Sequence, residues 1–281
     1  MKPESPLVST EWLAQHLGAP DIRIADASWY LAQTGRDAKA EYLAAHIPGA
    51  VFFDIEDLSD ETNPLPHMLA PAPKFASRMR KLGLGDGNLI IVYDGAGLYS
   101  APRAWWMLRA MGHEDVAVLD GGFPKWKREG RPIEDLVAQP HPRHFTPRPN
   151  NTLLRDFSQL MHNLETGRDQ VIDLRGAGRF AGTEEEPRPG VRRGHIPDSV
   201  NMPYSDVTSS EGTLRPRDQL LELFSCRGID PGRSCVTTCG SGITAAIGML
   251  ALVAAGAREV ALYDGSWSEW GARLEAPIAT T

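Results

Sequence analysis

The feature that most limits what this chain can fold into is that it is written twice. Ile24-Ala25-Asp26-Ala27 returns as Val171-Ile172-Asp173-Leu174, and His46-Ile47-Pro48-Gly49-Ala50-Val51 returns as His195-Ile196-Pro197-Asp198-Ser199-Val200. Leu119-Asp120-Gly121-Gly122-Phe123-Pro124-Lys125-Trp126 returns as Tyr263-Asp264-Gly265-Ser266-Trp267-Ser268-Glu269-Trp270. Each second copy lies about 145 residues after the first, far beyond the period of a solenoid repeat. A chain of 281 residues is too long for one small core and suits two domains. The repeat therefore predicts two homologous domains, 1–140 and 152–281. Between them, 141–151 is expected to be an extended linker, because the stretch 139–151 holds four prolines, which rule out a helix.

Each half reads as an α/β unit. Leu89–Tyr93, Val116–Leu119 and Val260–Tyr263 are short, continuous apolar runs, the pattern of strands buried on both faces. Helical patterns lie between them, such as Ala101–Ala110 followed by the stop signal Gly112. Strand–helix alternation predicts a mostly parallel sheet flanked by helices in each domain. In such folds the reactive groups sit at the carboxyl ends of strands.

Composition removes several function classes. Net charge is -7, which argues against a general nucleic-acid surface. No apolar run is long enough for a membrane helix. The opening Met1-Lys2-Pro3-Glu4-Ser5-Pro6 lacks the apolar stretch of a signal peptide. Three cysteines, Cys226, Cys235 and Cys239, make no even disulfide framework, so a reducing, cytoplasmic setting is expected. No His/Cys cluster has metal-ligand spacing, and neither a metal nor a cofactor is implied.

The chemistry concentrates in Cys239-Gly240-Ser241-Gly242-Ile243-Thr244, between the strand pattern ending at Thr238 and the apolar helical run from Ala245. A thiol in a glycine-rich turn at a helix N-terminus faces unpaired backbone N–H groups and the positive end of the helix dipole. That setting favours the thiolate, which is the nucleophile. Cys239 is thus the candidate catalytic residue. The first copy of this loop, Tyr93-Asp94-Gly95-Ala96-Gly97-Leu98, carries Asp94 at the cysteine position. The N-terminal domain is therefore expected to be inactive, and to serve as a structural partner and one wall of an interdomain site. Asp94 is either a relic or a cap that accepts loop amides, with the cap favoured. The loop lacks Cys-x5-Arg, since Ala245 stands at the arginine position. That argues against cysteine-dependent phosphoryl or arsenate chemistry.

On these residues the chain resembles the tandem-domain rhodanese family of sulfurtransferases, over nearly its whole length. The resemblance rests on the two His-Ile-Pro segments, Asp120-Gly121-Gly122, Asp264-Gly265-Ser266-Trp267 and the Cys239 loop. Within the family the loop is similar to that of the branch using 3-mercaptopyruvate. The thiosulfate-using branch carries Arg-Lys where this chain has Gly240-Ser241. Thiosulfate is a dianion that gains from loop cations, and Gly240 and Ser241 supply none.

The resemblance implies that the Cys239 thiolate takes sulfur from 3-mercaptopyruvate, releases pyruvate and passes the sulfur to a thiol acceptor. Thioredoxin is the suggested acceptor, with small thiols or cyanide as substitutes. Gly240, Gly242, Ile243 and Thr244 would supply the loop that holds the persulfide. Arg179 and Arg188 match the family's carboxylate- and ketone-binding arginines; from the residues alone they read equally as ion-pair partners of Glu184, Glu185 or Glu186. A Ser–His–acid arrangement for pyruvate departure would fall on Ser241, His67 and Glu56, with glutamate where relatives carry aspartate. His67 alone reads as either that group or an ordinary loop histidine. His46 and His195 read as structural, and Trp105, Trp106, Trp126, Trp267 and Trp270 as core. A thiosulfate sulfurtransferase and a non-catalytic persulfide carrier are the alternatives.

Overall fold

Leu89–Tyr93 is buried at every position, as a strand covered on both faces must be. It forms the middle of one of two five-stranded sheets in this computed structural model, which describes Pro3 and residues 5–281. Met1, Lys2 and Glu4, part of the opening read above for a leader, lie outside the described residues. The chain divides into two units: Met1–Glu61, Leu69–Asn150 and Ser210–Leu214 form the first, and Thr62–Met68, Asn151–Ser209 and Arg215–Thr281 the second.

Unit 1 contains β1 (Leu7–Val8), α1 (Thr10–Gln15), β2 (Ile22–Asp26), α2 (Ala38–Ala44), β3 (Ala50–Phe52) and α3 (Ala72–Lys81). There follow β4 (Leu89–Tyr93), α4 (Ala101–Ala110), β5 (Val116–Leu119) and α5 (Gly122–Arg128). Unit 2 runs β6 (Leu154–Arg155), α6 (Phe157–Thr166), β7 (Gln170–Asp173), α7 (Ala177–Ala181), β8 (Val200–Asn201) and α8 (Tyr204–Val207). It ends with α9 (Arg217–Cys226), β9 (Cys235–Thr238), α10 (Ala245–Ala255), β10 (Val260–Tyr263) and α11 (Ser266–Trp270). The sheet orders are β1-β5-β4-β2-β3 and β6-β10-β9-β7-β8, the same topology, with every strand pair parallel. This is the α/β architecture that the repeat and the strand–helix alternation predict.

Register makes the copies comparable residue by residue. Asp26 ends β2 opposite Tyr93, and Asp173 ends β7 opposite Thr238. One residue further on stand Asp94 and Cys239. The helices that follow, α4 and α10, are buried along almost their whole length; α4 packs on β4 and β5, and α10 on β9 and β10 as well as on α8 and α9. Trp105, Trp106, Trp126, Trp267 and Trp270 are all essentially inaccessible, the core role read for them. Trp126 and Trp270 each send the indole N–H to a proline carbonyl, of Pro132 and Pro277. His46 stacks on Tyr42 and His195 on Phe180, and each ring Nδ1 bonds the carbonyl of the residue it stacks on.

Residues 140–150 carry no helix or strand, and they lie along unit 1. Arg143 N–H donates to Arg80 O, His144 O accepts from Asp86 N–H, and Arg148 and Asn150 donate to Met111 and Ala110 carbonyls. Phe145 is fully buried and packs on Phe75. The proline-rich stretch read as a linker is thus a strap with its own anchor side chain. Among the described residues no helix is long and apolar enough to cross a membrane.

Candidate active site

Cys239 follows β9 and is buried, 2% exposed, at the carboxyl edge of the unit 2 sheet. Two carbonyls at the head of its loop are tied back. Cys239 O accepts Trp267 N–H at 2.9 Å, and Gly240 O accepts both Ser268 N–H at 3.0 Å and Ser268 Oγ–H at 2.5 Å. Cys239 N–H points at Ser266 Oγ, 3.4 Å away, while that hydroxyl donates to Tyr263 O at 2.8 Å. Ser266 holds φ 50°, a left-handed conformation that costs a non-glycine residue of order 1 kcal/mol or more. Its counterpart in the repeat is Gly122, at φ 52°. A serine in place of the glycine accepts that strain and gains a hydroxyl beside the cysteine backbone. The rest of the loop, Gly242 and Ile243, is buried, and Thr244 leads into α10.

The twin loop shows what this geometry holds. Asp94 is fully buried at the end of β4. Its Oδ1 accepts Ala96 N–H at 2.8 Å, and its Oδ2 accepts Tyr99, Ser100 and Ala101 N–H at 2.8, 2.9 and 2.8 Å. Four amides converge on one carboxylate at a helix N-terminus, an anion cradle built from backbone. Asp94 O accepts Phe123 N–H at 2.9 Å, the same tie that Cys239 O makes with Trp267. Asp94 is the cap, and the counterpart amides in unit 2 belong to Ser241, Thr244, Ala245 and Ala246.

Ser241 and His67 meet within unit 2. Segment 62–68 belongs to that unit, and His67 Nδ1 and Ser241 Oγ share a hydrogen bond at 3.0 Å. Both residues are buried, and His67 holds φ 62°. A bulky side chain in the left-handed region is strained, and the packing around the ring must hold it there. Glu56 lies in unit 1, where its Oε1 accepts Trp29 Nε1–H at 2.7 Å.

Arg179, on α7, pairs side-on with Glu186: Nε to Oε1 at 3.2 Å and Nη2 to Oε2 at 2.5 Å. The ion-pair reading of this arginine is therefore realised. The same guanidinium also lies over the Cys239 loop, for a Cβ placed on Gly240 would be 3.0 Å from Nη2. The two readings are compatible, because Glu186 orients the planar group and Nη1 stays outside the pair. Arg188 is half-buried in the turn that follows.

Three residues that the sequence reading passed over complete the site. Arg175 is buried and bonds Asp173 and Glu186, so Glu186 bridges two arginines. Its guanidinium stacks over Trp267, 4.2 Å from the ring centre. Ser266 and Ser268 hold the loop head, and both were visible as differences between repeats at Gly122 and Pro124. Cys235 is core: burial pushes its thiol up to about 11, the environment of an inert cysteine. Cys226 is exposed at the end of α9.

The Rhodanese-like domain family matches the chain twice, over residues 9–129 and 156–273. Human 3-mercaptopyruvate sulfurtransferase is 44% identical over 270 residues, covering 94% of this chain and 91% of that one. Bovine thiosulfate sulfurtransferase is 41% identical over 271 residues, with the same coverage. Among solved structures, SseA from Escherichia coli, described as a 3-mercaptopyruvate sulfurtransferase, superposes with TM-score 0.86 at 41% identity, over 94% of this chain and 100% of that one.

Proposed function

Because the chain belongs to the rhodanese-like family, we infer that it is a sulfurtransferase whose donor is 3-mercaptopyruvate and whose nucleophile is Cys239. The observation that carries the reading is the pair of loops: four amides hold the Asp94 carboxylate, and Cys239 stands at the head of the matching loop. A cradle for an anion is what a thiolate, and then a persulfide, requires.

In the first half-reaction the Cys239 thiolate attacks the donor sulfur. A new S–S bond forms, the C–S bond breaks, and its electron pair leaves on carbon as the pyruvate enolate. The thiol proton of the donor ends on that carbon, so pyruvate departs and the cysteine keeps a persulfide anion. Ser241 Oγ–H donates to the enolate oxygen as charge develops, and His67, whose Nδ1 stands 3.0 Å from Ser241 Oγ, orients the hydroxyl. The acidic position that the family resemblance assigns to this set is Glu56, whose Oε1 accepts Trp29 Nε1–H. Arg179 and Arg188 receive the carboxylate and ketone of the donor, a planar match for guanidinium. In the second half-reaction an acceptor thiolate takes the outer sulfur and frees Cys239, which makes the kinetics ping-pong. A thioredoxin-like dithiol is the proposed acceptor. Three free thiols, Cys226, Cys235 and Cys239, fit a reducing, cytoplasmic setting.

Gly240 and Ser241 bring no cation to the loop, which favours mercaptopyruvate over dianionic thiosulfate. The test measures pyruvate release and sulfur transfer to cyanide with the two donors in parallel, in the native protein and in Cys239→Ser. A mercaptopyruvate preference that vanishes in the variant is expected. Faster transfer from thiosulfate overturns the donor assignment, and turnover surviving in the variant overturns the nucleophile.

A further inference from the structure

The two repeats treat one carbonyl differently. In unit 1 the carbonyl of Gly95, first after Asp94, accepts the Arg36 guanidinium through Nη2 at 3.0 Å. The residue that would otherwise cap it is Pro124, which has no N–H to give. In unit 2 the matching carbonyl, Gly240, takes two donors from one residue, Ser268 N–H at 3.0 Å and Ser268 Oγ–H at 2.5 Å. A carbonyl oxygen has two lone pairs, so these bonds fill it.

The arginine is then left with other work. Arg36 Nη2 is spent on Gly95 O, Glu41 and the Tyr30 hydroxyl. Arg179 lies over the equivalent glycine, yet its bonds run to Glu186 through Nε and Nη2. Each guanidinium sits beside the equivalent loop glycine, and Arg36 is the one that bonds its carbonyl.

We propose that Ser268 is a positioning residue: by filling the Gly240 carbonyl it keeps the Arg179 guanidinium off the loop backbone and turned to the carboxylate of the donor. The proposal rests on the reading of Arg179 as a donor-binding residue. Its amide does part of the work and its hydroxyl the rest, so replacements form a graded series. Proline at 268 copies unit 1 and removes both donors, in a helix whose twin already carries proline at that place. Alanine removes the hydroxyl alone, and threonine keeps both donors.

The experiment measures kcat and KM for 3-mercaptopyruvate in Ser268→Pro, Ser268→Ala and Ser268→Thr, each also combined with Arg179→Ala. Ser268→Pro should raise KM roughly tenfold, the value of one charge-assisted hydrogen bond. Ser268→Ala should raise it about two- to threefold, and Ser268→Thr should restore the native value. In the Arg179→Ala background none of the three should move KM further, a coupling that a merely structural role would not produce. If Arg179→Ala alone leaves KM unchanged, the donor-binding reading fails and this inference with it. If Arg179→Ala raises KM but Ser268→Pro does not, or raises it equally in both backgrounds, Ser268 alone is overturned. Circular dichroism reports folding; should the proline variant not fold, the alanine and threonine pair decides by the same criteria.

Discussion

The loops after β4 and β9 are one backbone device put to two uses. In 94–101 the anion is built in, an aspartate carboxylate held by four amides. In 239–246 a cysteine stands at the same place, with no built-in carboxylate. The ties that fix the two loops match, Phe123 N–H to Asp94 O and Trp267 N–H to Cys239 O, both at 2.9 Å. What differs is the cover. Over Gly95 sits the Tyr30 hydroxyl, so close that a side chain there would collide with it, and Tyr30 is itself bonded to Arg36 and Glu41. Over Gly240 the three nearest atoms all belong to the Arg179 guanidinium, the first of them 3.0 Å from where a Cβ would stand. On the proposed reading of Cys239 and Arg179, the difference teaches that a cradle for an anion becomes a sulfur-transfer site where it is uncovered and an arginine beside it is left to bind the donor.

The hardest test of that comparison is to give unit 1 the missing thiol. Cys239→Ser should lower sulfur transfer by roughly three orders of magnitude or more, as loss of a covalent nucleophile does. Adding Asp94→Cys to that variant should restore none of it, because Tyr30, Arg36 and Glu41 occupy the approach. Intact-mass measurement after exposure to 3-mercaptopyruvate should find no added sulfur. A persulfide on the double variant would break the comparison and show that the thiol alone makes the site.

A smaller effect is expected from charging the loop head. Replacing Gly240-Ser241 by Arg-Lys should move the ratio of kcat/KM values for mercaptopyruvate and thiosulfate about ten- to a hundredfold toward thiosulfate. The structure adds a second cause to the loop charge. A Cβ on Gly240 stands 3.0 Å from Arg179 Nη2, so the guanidinium must give way. Gly240→Ala separates the two causes, since it moves the arginine and adds no charge; a few-fold rise in KM for mercaptopyruvate is expected. An unchanged donor ratio in the double replacement would mean that neither matters.

Much of this arrangement was legible before any coordinates. Repeated segments imply repeated folds, continuous apolar runs such as Leu89–Tyr93 imply doubly covered strands, and a cysteine between Thr238 and a glycine-rich turn implies a thiol at a sheet edge. Those are local patterns, and local patterns survive folding. The rest depends on groups distant in sequence. Glu184, Glu185 and Glu186 look interchangeable in the text, but only Glu186 is drawn in to bridge Arg175 and Arg179. No periodicity assigns 62–68 to unit 2, where His67 reaches Ser241. The exchange of Pro124 for Ser268 was in plain view in the aligned repeats. Its consequence required knowing which carbonyl stands opposite.

Asp94 itself carries the next prediction, on stability. Hydrogen bonds to a charged acceptor contribute more than neutral ones. Asp94→Asn removes the charge and turns an NH2 group toward amides that need an acceptor, so it should cost about 2–3 kcal/mol. Cys239→Ala, in the loop with no built-in anion, should cost about 1 kcal/mol or less by this account. Urea unfolding of both variants checks it. Equal losses would mean that the amides of 94–101 are not held by the carboxylate, and the cradle reading would lose its anchor.

The smallest effect concerns the aspartates one position earlier. Asp173 keeps a counterion, since Arg175 two residues on donates to both its oxygens. Asp26 occupies the same register with Ser28 two residues on, whose N–H and Oγ–H both bond Asp26 Oδ1. Burial without a cation pushes Asp26 from 3.8 up to about 6, against the lowering pull of the Ser28 hydrogen bonds. The folded unit therefore binds this proton more tightly than the unfolded chain does. Stability of unit 1 should then fall as pH rises from about 4 to about 6, and stay at the lower level above that, by at most about 3 kcal/mol. Asp26→Asn keeps an oxygen for Ser28 and removes the charge. Its unfolding free energy should lose this slope across the window and exceed the native value at pH 7 by about 1–2 kcal/mol. A variant with the native pH dependence would place the slope elsewhere. The matching change at Asp173 should have the opposite sign at pH 7, because there it takes from the buried Arg175 one of its two carboxylate partners and leaves Glu186 alone, and that reversal between equivalent positions is what separates a lost counterion from a general intolerance of asparagine at the end of a strand.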